Sequence, residues 1–208
     1  MSYNGEAELP LCLECLGLTI GGHVVPPFQV RTGEAVCLHV EYSPSADPYY
    51  DSVQPLLLGR IKHPSIRLHG VVEKLERPYS PRRWMFWRRN PSARDWLLTE
   101  GKLAPQETAE VLGRVPVPLQ VPVGWLGLNE RSRLALEVCL RHPPDLLVFD
   151  TAGQDPSGTR QVLERLETRP DSLAVIYLKT CLIPNSPCIP GASCHVIAVV
   201  SPQPAAVE

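Results

Sequence analysis

Pro144-Asp145-Leu146-Leu147-Val148-Phe149-Asp150-Thr151-Ala152-Gly153-Gln154-Asp155-Pro156 is the stretch from which the fold can be read. Four consecutive apolar residues, bounded by prolines before and an acid after, predict a strand buried on both faces, as in a parallel sheet. Asp155-Pro156 reads as a helix start. The carboxylate can accept an N–H of the first turn, and a proline at the first helical position gives up no hydrogen bond. That helix is expected to reach about Glu167. Downstream, residues 173–178 read as the next buried strand and 196–200 as the last. Strand–helix–strand units of this length imply an α/β sheet.

Upstream, a helix is expected from Asn129, with Leu134, Val138 and Leu140 on its apolar face and Pro143-Pro144 as its stop. Residues 73–130 are the least regular part, with a short helix near 105–112 and a proline-studded stretch over 115–122. Nearer the N-terminus, residues 9–18 alternate as a strand that turns at Gly21-Gly22. Residues 35–40 read as a buried strand, 41–55 as an irregular loop, and 66–72 as another short strand. A short helix is expected between 54 and 61, limited by Pro55 to the first turn.

The order of these pieces carries a family resemblance. Arg131-Ser132-Arg133-Leu134-Ala135-Leu136, followed by residues 144–150, resembles the signature helix and Walker B strand of ATP-binding-cassette (ABC) ATPases. In that family L-S-G-G-Q opens the helix and R-x-R-L-A-L continues it. Residues 151–156 look like the T-A-G-L-D-P of the D-loop. Gly33-Glu34-Ala35-Val36 resembles the lead into the Walker A strand, and Ile66-Arg67-Leu68-His69-Gly70 the strand beyond it. The resemblance is weakest between residues 73 and 125. It implies one P-loop-NTPase-like, ABC ATPase-like α/β sandwich over residues 1–208, with a reduced helical subdomain inserted at about 76–140.

Each nucleotide-handling element departs from the family pattern. A Walker A loop needs glycines, so that backbone N–H groups can approach phosphates, and a lysine to neutralise them. Here the loop reads Glu41-Tyr42-Ser43-Pro44-Ser45-Ala46-Asp47-Pro48, with neither glycine nor lysine. Losing two charge-assisted hydrogen bonds of ~1.5–3 kcal/mol each weakens ATP binding by about two to four orders of magnitude. Asp150 keeps the Walker B carboxylate, but Thr151 follows it directly and the family's catalytic glutamate is missing. The signature reads Leu126-Gly127-Leu128-Asn129-Glu130, placing an acid where another subunit's γ-phosphate would sit. Cys181 stands at the switch-histidine position, and residues 71–105 contain no glutamine for a Q-loop.

The resemblance therefore implies a pseudo-ATPase with no catalytic residues and no tightly bound ATP or Mg²⁺. Its partner would be an active ABC-type ATPase, a membrane permease, or both, in a homo- or heterodimeric arrangement. Two other readings are a divergent ATP-binding protein that completes a composite site and a nucleic-acid-binding protein. Asp150 is expected to be a strand-end acid bonded to local backbone rather than an Mg²⁺ ligand. Asp155, Pro156 and Ser157 form either a D-loop-like dimer contact or a plain helix cap. The tract Arg82, Arg83, Trp84, Phe86, Trp87, Arg88 and Arg89 falls near the family's permease-docking region, and Trp and Arg dominate many interfaces. It is taken as the partner-binding surface.

Composition agrees with one ordinary domain: 208 residues, 44% apolar and 20% charged. The formal charge of -2 gives no electrostatic reason to expect nucleic acid. No apolar run is long enough to span a bilayer and MSYNGEAEL is no signal peptide, so a cytoplasmic location is expected, peripheral to a membrane only through a partner. Seven cysteines raise the question of metal. Cys12 and Cys15 form a C-x-x-C on a strand, where residues three apart face opposite ways. Cys188, Cys194 and His195, with Cys181 in reach, come nearer a ligand set. Buried or loop thiols in a reducing compartment are expected instead, with no metal, and an odd count without a secretion signal argues against a disulfide framework.

Overall fold

The computed structural model describes residues 9–20, 23–41, 53–78, 91–151, 153–181 and 188–199. The N-terminal part supplies strands β1 (Leu11–Cys15), β2 (Leu18–Ile20), β3 (His23–Val25), β4 (Phe28–Arg31) and β5 (Ala35–Glu41). After helix α1 (Gln54–Leu57) come β6 (Ile66–Leu68) and β7 (Val72–Lys74). Helices α2 (Ala93–Thr99) and α3 (Pro105–Arg114), a 3-10 turn (Val123–Trp125) and α4 (Leu128–Arg141) precede β8 (Leu146–Asp150). Helix α5 (Pro156–Glu167), β9 (Ala174–Cys181) and β10 (Ser193–Val199) follow.

The strands form two sheets. Strands β4-β1-β6 pair antiparallel, and the larger sheet runs β2-β3-β10-β5-β9-β8-β7, parallel from β10 to β7. The central strands are buried on both faces, as their continuous apolar runs require. Val36, Leu38, Val148 and Ile176 point into a layer shared with Leu13 and Val30 of the antiparallel sheet and Leu57 of α1. Their neighbours Cys37, Leu147, Phe149 and Tyr177 point the other way, against Leu136 of α4 and Val162 and Leu166 of α5. A third cluster, including Leu97, Val111, Val123 and Leu134, joins α2, α3 and the outer side of α4. Each such side chain contributes about 1.5–3 kcal/mol by leaving water.

Two expected strands prove to be four. The run over 9–18 breaks at Gly17, whose φ of 85° turns the chain from the antiparallel sheet to β2 of the large one. The run over 66–72 breaks at Gly70, with φ 107°, where β6 ends and the chain crosses to β7. A Cβ at Gly70 would sit 2.4 Å from Asp145 Oδ2, the oxygen that accepts the Val71 N–H at 2.7 Å. Only glycine offers both the left-handed φ and the room. Helix α2 was not anticipated from the sequence. Ser92 caps it by accepting the Asp95 N–H at 3.1 Å, and Leu97 anchors it in the third cluster.

Candidate functional site

In a parallel sheet, ligands bind beyond the carboxyl ends of the strands, where the connections diverge to opposite sides. Here that place is the end of β5. The chain leaves β5 for the β7 edge, returns through β8 to β9 on one flank of β5, and finishes as β10 on the other. The segment after β5 holds the expected phosphate loop, of which 42–48 lie outside the described residues. The helix beyond it, α1, ends after Leu57, and Gly59 with φ 67° turns the chain away.

Asp150 closes β8 on the α1 side of the sheet and is only 3% exposed. Its partners are distant side chains, where the sequence suggests local backbone. Gln54 Nε2 donates to its Oδ2 at 3.1 Å, and Arg77 Nη2 donates to its Oδ1 at 3.1 Å and its carbonyl oxygen at 2.6 Å. Both carboxylate oxygens are thus engaged, one of them by a fixed positive charge. Arg77 follows β7, in the stretch where the family's Q-loop glutamine was sought. The sequence does not mark Gln54 or Arg77, because a distant partner of a strand-end acid leaves no local pattern.

The signature-like segment is occupied by its own chain as well. Leu126 is buried, and Gly127 is the N-cap of α4. Glu130 turns back so that its Oε2 accepts the Gly127 N–H at 2.7 Å. This places an anion at the helix N-terminus, where dipole and free N–H groups favour it. Asp155 caps α5: its Oδ1 accepts the Gly158 N–H at 2.7 Å and its Oδ2 accepts Asn129 Nδ2 at 2.8 Å. The Gly158 amide first, and the Asn129 amide second, hold the Asp155 carboxyl below its ordinary pKa. Pro156 takes the first helical position and Ser157, the second, is exposed. Gly158 lets Asn129 come close, since a Cβ there would lie 2.1 Å from its side chain. Gln154 Nε2 donates to Ser132 Oγ at 2.7 Å, a further tie between the D-loop-like turn and α4.

The remaining candidates divide. The Arg82–Arg89 tract lies outside the described residues. Among the described residues, a groove of about 740 Å³ runs between residues 73–78, α2 and α4, lined by Trp96, Val123 and Val138 among charged neighbours. Lys179 is buried on β9, and Cys181 ends that strand. Cys12 and Cys15 are both buried and lie in separate surroundings, one by Thr32 and the Asp145 carbonyl, the other by the Pro26 carbonyl. Burial pushes both thiols up. Cys188 and Cys194 do meet, Sγ to Sγ at 4.0 Å, but His195 does not join them. Its ring packs at 5.4 Å from Phe28, on the antiparallel-sheet side. A hydrogen bond with Cys37 pulls the Cys188 thiol down to about 6 against the effect of burial, and the same bond holds Cys37 far above the usual thiol range.

No family model matches the chain, and no curated protein matches it in sequence. Solved structures do match. A chain of a metal-chelate-type ABC transporter in an inward-facing conformation aligns with a TM-score of 0.61 at 13% identity, over 91% of this chain and 80% of that one. The ADP conformation of an ATP-binding cassette of an ABC transporter gives 0.56 at 11% identity, over 85% and 83%. The cbiO1 protein from Clostridium perfringens, part of the ABC transporter complex cbiONQ, gives 0.54 at 14% identity, over 82% and 79%. The fold is that of an ABC ATPase domain. Within this ABC ATPase fold the helices inserted between β7 and β8 include α2 and α3, which pack on α4 through the third cluster. Among the described residues, no helix is long and apolar enough to cross a membrane.

Proposed function

We propose that this chain is a non-hydrolysing member of the ABC ATPase family, a pseudo-ATPase subunit that acts as a scaffold or regulatory partner in an ABC-type ATPase or permease complex. The observation that carries this reading is the state of Asp150. Magnesium would have to displace the Arg77 guanidinium from a buried carboxylate whose second oxygen already accepts Gln54. Breaking such a pair and leaving one charge unpaired costs several kcal/mol. The sequence of the phosphate loop, with prolines and acids in place of glycines and lysine, supports the same reading, as does Glu130 folded onto its own helix. For the partner, the Arg–Trp tract is the proposed docking surface, as its residue types suggest. The similar chains come from transporter complexes, which supports a permease or a second ATPase as the occupant.

Calorimetry of the purified chain with Mg-ATP tests the nucleotide half: no binding tighter than about 100 μM is expected, the equivalent of ~5.5 kcal/mol. A tighter constant, or phosphate release above background, overturns it. For the docking half, Trp84→Ala with Trp87→Ala should abolish co-purification of the partner while the melting temperature stays near that of the unaltered chain. Undiminished co-purification places the interface elsewhere.

A further inference from the structure

On the face of the large sheet opposite α1, four soft donors converge. Cys37 and His39 are alternate residues of β5 and therefore project from the same side. Cys194 lies opposite Cys37 in the register of the parallel β5–β10 pair. Cys188 comes from the crossover that joins β9 to β10. The three sulfurs and one imidazole nitrogen of His39 all lie within 4.8 Å of one another. A zinc ion with bonds to sulfur of about 2.3 Å needs its tetrahedral sulfurs about 3.8 Å apart. Cys188 and Cys194, at 4.0 Å, already meet that spacing, whereas a disulfide would need about 2.05 Å.

We propose that Cys37, His39, Cys188 and Cys194 bind one structural zinc ion. Three thiolates and an imidazole are the donor set that selects zinc over harder cations, and four protein ligands leave no open position for water or substrate. Three thiolates around a divalent ion leave a net negative charge. Lys179, buried on the adjacent strand, acts electrostatically on all four ligands and offsets it.

The fold also explains why a metal is useful there. The connection from β9 to β10 spans residues 182–192, of which 188–192 are described. Among the described residues of this crossover, Ile189 is the one fully buried side chain. A zinc ion would pin Cys188 and β10 to β5. The site does not depend on the nucleotide reading, because it lies on the other face of the sheet from Asp150.

The test is the metal content of the full chain purified under reducing conditions from zinc-supplemented cells, followed by cobalt(II) titration of the apo form. About one zinc per chain is expected, with a tetrahedral cobalt spectrum carrying a thiolate charge-transfer band. Cys188→Ser with Cys194→Ser, two positions near the surface, should keep the far-UV spectrum and lower bound zinc about tenfold or more. His195→Ala should keep the metal. Wild-type protein holding no more zinc than the double variant overturns the proposal, as does a Cys188–Cys194 disulfide in the protein as isolated.

Discussion

The two faces of the large sheet end in opposite ways. On the α1 face, at the carboxyl end of β8, polar groups have been drawn into bonds with one another: Asp150 with Arg77 and Gln54. On the α4–α5 face, Cys37, His39, Cys188 and Cys194 turn toward a common centre. Both sites are small clusters of ionisable side chains on one sheet. They differ in charge balance. A carboxylate beside a guanidinium is neutral as it stands, and a cation gains nothing there. Three thiols and an imidazole become a strong site only when protons leave and a cation enters. The pairing around Asp150 supports the proposal that no nucleotide is held there, and the convergence of four donors supports the proposed zinc site.

The largest effect is expected at Asp150. Asp150→Ala leaves the Arg77 guanidinium without its buried counter-charge and should cost about 3–5 kcal/mol in urea unfolding. Glu137→Ala is a matched reference, since Glu137 is buried against Arg165 and Arg114 far from any expected nucleotide group. Equal losses mark Asp150 as a structural acid. A loss well under 1 kcal/mol, with a melting temperature that responds to Mg²⁺, would mean that the pair opens and the carboxylate is available.

Next in size is Gly158→Ala. The added methyl displaces Asn129 and with it the bond to Asp155. Overpacking of this kind should cost about 1–3 kcal/mol in thermal unfolding. An unchanged midpoint would show that the D-loop-like turn tolerates a second position, as a dimer contact must. Glu130→Ala removes one helix cap and should cost about 1 kcal/mol. It also bares the N-terminus of α4. Binding of Mg-ATP by this variant but not by the parent, measured by calorimetry, would identify Glu130 as the group that keeps phosphate out. The smallest effect is expected for His195→Ala, about 1 kcal/mol or less from the lost ring contact with Phe28. A concurrent loss of zinc would move the metal site across the sheet, to the face that holds Asp150.

Much of this was open to reading in the residues. Alternation and run length say which side chains are buried, so Leu146-Leu147-Val148-Phe149 and residues 173–178 announce an inner parallel strand before any coordinates are known. Caps are local too, which is why Asp155-Pro156 marks the start of α5. The absence of glycine and lysine after β5 is likewise a property of the chain alone, and so is the missing glutamate after Asp150. What stayed hidden was every feature that depends on two distant segments. Gly17 and Gly70 move the chain from one sheet to the other, a choice set by what each half-strand finds to pair with. Arg77 and Gln54 reach Asp150 across 73 and 96 residues of sequence. Cys188 and Cys194 suggested His195 as a third ligand because it is adjacent in sequence. In a strand adjacency means opposite faces, and the register of β10 on β5 brings Cys37 and His39 to the thiols instead.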